Sequence, residues 1–161
     1  MSNFNFTIDM PVHNTWDNVD LVRLSIQNCL AIVFKDMDCC RALAMVTGEL
    51  LENAIKYGDW ESKGAAFRLR VWGAEERVFV EVENPVSAKD ADSSALFETL
   101  AWMDTYPSPQ EAYIARLIEI AGREEHNVSQ LGLVRIAYEG NCRLTAERAD
   151  GALRVKAEMQ V

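Results

Sequence analysis

The 161 residues suffice for one domain with a core of its own, and 49% hydrophobic with 25% charged residues is the composition of a globular chain rather than a disordered one. A formal net charge of -9 sets the surface against phosphate backbones and anionic lipid, so nucleic-acid and membrane partners are discounted, while a local nucleotide site is not. No run approaches the ~20 apolar residues that span a bilayer, and the opening MSNFNFTIDM lacks the basic and apolar regions of a signal peptide, so the expected location is the cytoplasm.

Phe4, Phe6, Ile8 and Met10 alternate with polar residues, the pattern of a strand with one buried face. Thr15 or Asp17 is placed to cap a helix that runs through Leu21, Leu24, Ile26, Leu30, Ile32 and Val33. Asp36 and Asp38 mark a break. A second helix is expected from about Asp38 to Tyr57, its apolar stripe being Leu43, Val46, Leu50, Ala54 and Tyr57, with Gly58 at the C-terminal cap. Strands are expected at 66–72 and 77–83, joined through Gly73, Ala74 and Glu75. A long segment, 84–130, holds two helical patterns, 93–103 and 109–120, punctuated by Pro85, Pro107 and Pro109. A third major helix spans about 131–138 and ends at Gly140 and Asn141. Two last strands, 142–147 and 152–159, flank the turn Ala149-Asp150-Gly151. This order predicts an α/β (α+β) two-layer sandwich over residues 1–161, a mostly antiparallel mixed sheet with helices on one face. Cys29, Cys39, Cys40 and Cys142 have neither zinc-site nor disulfide-framework spacing and read as reduced thiols.

The segment with most chemistry is Gly48-Glu49-Leu50-Leu51-Glu52-Asn53-Ala54-Ile55-Lys56-Tyr57-Gly58. Glu49 and Asn53 lie four apart and leave the helix from one face, as do Glu52 and Lys56. Asn is a poor helix former, so its mid-helix place calls for a reason. On spacing alone, a solvated helix face with one ion pair accounts for the pattern as well. The run E-L-L-E-N-A-I-K-Y-G resembles the N-box of the GHKL (histidine kinase-like) ATPase superfamily, and its position on the second helix before a hairpin matches as well. The resemblance implies the Bergerat-type ATP-binding fold with ATP and Mg²⁺ as cofactors. It also implies Asn53 as the Mg²⁺ ligand, Glu49 as general base in the serine-kinase branch, and Lys56 facing the phosphates.

Two later motifs of the family are altered. Where it has D-x-G-x-G, this chain has Asn84-Pro85-Val86-Ser87, with Asn84 at the adenine-contacting position and neither glycine. Where it has G-x-G-L-G-L, this chain has Val128-Ser129-Gln130-Leu131-Gly132-Leu133, so only Leu131, Gly132 and Leu133 match the phosphate-cradling loop. Ser129 is an alternative helix cap. Residues 84–130 correspond to the family's lid, acidic at Lys89-Asp90-Ala91-Asp92 and aromatic at Phe97, Trp102, Tyr106 and Tyr113; packing on the body is the expected role of these aromatics. Arg123 and His126 fall near the expected phosphate end.

The resemblance is nearest in type to the stand-alone anti-sigma-factor serine kinases. It implies a regulator that phosphorylates or sequesters a protein partner, a sigma factor or a small antagonist domain, and a homodimer through the first strand and helix. The missing glycines point to an alternative, a catalytically inactive interaction module of the same fold.

Overall fold

The computed structural model describes residues 4–11, 17–60, 65–87, 92–122 and 131–161. In chain order the elements are β1 (Phe4–Pro11), α1 (Asp17–Val33), α2 (Met37–Tyr57), β2 (Ala66–Ala74), β3 (Arg77–Pro85), α3 (Asp92–Met103), α4 (Pro109–Ala121), α5 (Gly132–Tyr138), β4 (Cys142–Ala149) and β5 (Ala152–Gln160). The strands form one sheet in the order β1-β2-β3-β5-β4. The expectation allowed for mixed pairing, but all four pairings are antiparallel.

Alternation decides the two faces of this sheet. Leu69, Val82 and Val155 stand in one register row across β2, β3 and β5, and Val71, Val80 and Ala157 in the next; all six are buried under the helices. The opposite face is charged and aromatic. Arg68 bonds Asp9 across β1 and β2 at 2.7 Å, Arg77 meets Glu158 at 3.0 Å, Arg154 pairs with Glu83, and the Trp72 and Phe79 rings stack 5.0 Å apart. Such exposed ion pairs add little stability. They fill the solvent face with groups that cannot be turned inward, and so oppose a one-residue slip.

The central helix is α2. Asp36 caps it, its carboxylate accepting from the backbone N–H of Asp38 at 2.8 Å and of Cys39 at 3.4 Å. The expected stripe of Leu43, Val46, Leu50 and Ala54 is buried, and so are Cys40, Thr47 and Leu51. The buried face is wider than one stripe because α1, α5 and β3 all pack against the helix. Gly58 ends α2 with φ -80° and ψ 146°, an extended rather than left-handed conformation. The Trp60 ring lies where a Cβ on Gly58 would stand, 2.4 Å from its nearest atoms, so close approach rather than backbone freedom is what glycine provides there.

Both hairpins are tighter than expected. Gly73 and Ala74 belong to β2, leaving Glu75-Glu76 as the turn. Ala149 belongs to β4, and Asp150 (φ 54°) and Gly151 (φ 76°) form a two-residue turn of the type that matches strand twist. None of the four cysteines is in a disulfide, and burial pushes the Cys142 thiol up to about 12. Among the described residues no helix is long and apolar enough to cross a membrane.

Gly140 lets the chain turn from α5 into β4 directly against α2. A Cβ there would lie 2.5 Å from the Ile136 carbonyl oxygen and 2.7 Å from Val46 Cγ2. Gly140→Ala is therefore expected to cost about 1–3 kcal/mol by overpacking. The check is chemical denaturation, in which the midpoint should fall at unchanged slope.

Candidate functional site

Glu49 and Asn53 sit one turn apart on the side of α2 that faces α5. Gly132, the first residue of α5, comes so near that a Cβ on it would lie 2.7 Å from Glu49 Oε2 and 3.7 Å from Asn53 Nδ2. Three expected site residues from two distant segments thus converge. Glycine there leaves the carboxylate its place, because a Cβ would make it shift.

The Glu49 side chain is 18% exposed and accepts a hydrogen bond from Arg135 Nη1 at 2.9 Å. Arg135 Nε donates to Glu139 Oε2 at 2.8 Å, and the Tyr113 hydroxyl donates to Glu139 Oε1 at 3.0 Å. Burial, reinforced by repulsion from Glu52, raises the Glu49 carboxyl above the usual range even though Arg135 pulls it down. Glu139 shifts the other way, held below the usual range chiefly by the Arg135 hydrogen bond. Asn53 is 9% exposed, and among the described residues its Nδ2 has no hydrogen-bond partner. A buried amide donor without a partner is a cost that folding alone does not explain.

The remaining expected residues are placed differently. Lys56 is exposed, with Nζ 4.8 Å over the Tyr57 ring. Asn84 is 1% exposed at the end of β3, and its Nδ2 donates to the Pro85 carbonyl at 3.2 Å. The same carbonyl accepts the Asp59 N–H at 2.8 Å, which ties the segment after α2 to the end of β3. Leu131 precedes α5 without a side-chain cap, and its carbonyl accepts the Arg135 N–H at 2.9 Å. Leu133 is a core residue, 7% exposed. Lys89, Asp90, Ala91, Arg123, His126, Val128, Ser129 and Gln130 lie outside the described residues, as does Thr15.

Of the insert aromatics Tyr113 packs on the body, Trp102 and Tyr106 pack on each other within the insert, and Phe97 is 36% exposed. Trp102 lies 4.7 Å from Tyr106 and carries the Arg116 guanidinium 4.0 Å above its ring; Tyr113 lies 5.1 Å from Tyr138. Sequence reading missed Arg135, Glu139 and Tyr113. The four-residue spacing of Arg135 and Glu139 was a visible signal of a helix-surface pair. Nothing local showed that Arg135 also reaches Glu49 across 86 positions.

Among the described residues no group of three or more His, Cys, Asp or Glu could hold a metal ion. A cation at this site would need its oxygens from Asn53, from phosphate and from water, which is the habit of Mg²⁺ rather than of a caged metal. Two hollows lie elsewhere. One, of about 610 Å³, lies between the α3–α4 junction and β4, with Met103, Tyr106 and Leu144 in its walls. The other, of about 590 Å³, is bounded by Phe34, Asp36, Glu76, Glu139 and Val161. Neither is lined by any of the seven expected site residues.

These observations define a two-layer α+β sandwich whose polar centre is the contact of its central helix with the start of a short helix. A chain in the crystal structure of the SiaB–SiaC complex from Pseudomonas aeruginosa has this fold. The TM-score is 0.69 and the identity 16%, covering 96% of this chain and 88% of that one. At that identity the likeness is one of fold. No protein-family model and no curated protein sequence matches the chain.

Because Asn53 Nδ2 is buried without a partner among the described residues, Asn53→Leu is expected to raise the thermal midpoint by a few degrees, recovering part of the ~1–3 kcal/mol an unmet donor costs. A lowered midpoint in scanning calorimetry would mean that the amide already has its partner in the nucleotide-free protein.

Proposed function

We propose that this chain is a regulatory protein that acts on or sequesters a protein partner, and that the α2–α5 contact is its nucleotide site. The observation that carries the reading is the convergence of Glu49, Gly132 and the buried Asn53 amide, which has no partner among the described residues. An amide offers both a donor and an acceptor. Nδ2 suits a phosphate oxygen, and Oδ1 is the atom Mg²⁺ would take. Lys56 is exposed and can turn to neutralise phosphate, and Leu131, Gly132 and Leu133 would carry the backbone that borders it. Asn84 would supply the adenine contact through Oδ1, accepting from the adenine amine while its Nδ2 keeps the Pro85 carbonyl. ATP would supply the transferable phosphoryl group. Glu49, raised by burial, is suited to accept a serine hydroxyl proton once Arg135 yields it.

The likeness to a chain of a two-protein complex supports a protein partner. The resemblance of the N-box run suggests a sigma factor or a small antagonist domain. A second reading, an interaction module without catalysis, is favoured by one observation: Glu49 is already held by Arg135 while Asn84 is bonded to its own neighbour.

Calorimetric titration of the protein with ATP and Mg²⁺ separates the two. The nucleotide-using reading expects binding in the micromolar range, about -8 kcal/mol, abolished by Asn53→Ala. No heat at millimolar nucleotide sinks it in favour of the interaction module.

The homodimer reading is supported by the outer side of α1, where Leu21, Leu24 and Ile32 are 64%, 54% and 87% exposed, and by β1 at the sheet edge. Sedimentation velocity at tens of micromolar should give a dimer that the double substitution Leu24→Arg, Ile32→Arg converts to monomer. Wild type sedimenting as a monomer would rule this out.

A further inference from the structure

Glu49 has little freedom in where its carboxylate can go. Gly132 stands on one side, close enough that a single added carbon would touch Oε2, and Arg135 closes the other through Oε1. The charged groups that face Glu49 are Glu52 from its own helix and Arg135 and Glu139 from α5. Among the described residues only Arg135 is positive, and without it the half-buried carboxylate keeps like-signed described neighbours.

Arg135 reaches two carboxylates with different nitrogens, Nη1 to Glu49 on α2 and Nε to Glu139 on α5. A planar guanidinium can do this from one fixed position, whereas a lysine ammonium is a single point of charge. Glu139 is in turn oriented from α4, because its second oxygen accepts the Tyr113 hydroxyl, and Tyr113 is kept there by its ring contact with Tyr138. The result is a hydrogen-bonded series of four side chains, Glu49, Arg135, Glu139 and Tyr113, on three helices.

We propose that Arg135 is the positioning residue of this site: it holds Glu49 beside Gly132 and, through Glu139 and Tyr113, ties that placement to α4 of the insert. The role of Glu49 in phosphoryl transfer rests on the function proposed above; its placement by Arg135 does not.

The test is a carboxyl-carbon NMR titration of Glu49 in the full chain without nucleotide, its signal assigned by loss in Glu49→Gln. In Arg135→Met the Glu49 midpoint should rise by about one unit or more, because the opposite charge that bonds it is gone. Arg135→Lys should recover part of that rise. Tyr113→Phe should raise the midpoint by a smaller amount, since Glu139 loses its orienting bond and Arg135 its fixed seat. Unchanged amide spectra would confirm that each variant is folded; if Arg135→Met does not fold, Arg135→Lys and Tyr113→Phe carry the test. A Glu49 midpoint unmoved in Arg135→Met, or in both other variants, overturns the proposal. A midpoint moved by the Arg135 variants but not by Tyr113→Phe overturns its link to α4. Because no nucleotide or partner is present, failure of nucleotide binding in calorimetry and failure of this titration are separate results.

Discussion

The close approach of α5 to α2 is the constraint on which the rest depends. Glycine stands at both ends of the short helix. Gly132 lies against the Glu49 carboxylate, and Gly140 lies against Val46 and its own preceding turn. Between them α5 buries Leu133, Val134, Ile136 and Ala137 in seven residues, too short a helix to persist without tertiary support. Its position is therefore set by packing, and so is everything attached to it: Arg135 on its exposed side, the insert before it and the edge strand β4 after it.

That contact is also where an otherwise apolar interior turns polar. The core beneath α2 is aliphatic, from Leu43 and Leu50 to the valine rows of β2, β3 and β5. Within one turn of it stand a carboxylate whose burial disfavours its charge and an amide donor with no partner among the described residues. Neither arrangement is what stability alone would select. These polar groups stand where Gly132 brings α5 against α2, which makes that contact the polar centre of the fold.

Much of the fold was legible because it is written in short periods. Alternation marked every strand, three- and four-residue steps marked α2, and Pro and Gly marked most boundaries. The errors came where packing or strand pairing overrides a residue's usual turn signal. Gly58 looked like a left-handed cap, but Trp60 packing on it accounts for the glycine. The hairpin loops were read one or two residues too wide because Gly73 and Ala149, ordinary loop-adjacent residues in the sequence, are held in the ladders by their cross-strand partners. At the site, the pairing of Glu49 with Asn53 was visible as helical spacing, and Gly132 as part of a familiar run. Arg135 was not, since its partner lies 86 residues away and only the folded arrangement of α5 on α2 joins them.

Arg135 does with a side chain what other folds do with backbone amides. A glycine-rich loop binds phosphate with fixed backbone dipoles, which are always in place and cannot be withdrawn. A guanidinium does similar electrostatic work from a side chain, and a side chain can be held elsewhere. In this chain it is held by two carboxylates, one in the site and one oriented from α4. The charge beside Glu49 is thereby tied to α4 through Glu139 and Tyr113, so the packing that seats α5 also sets the electrostatics of the polar centre.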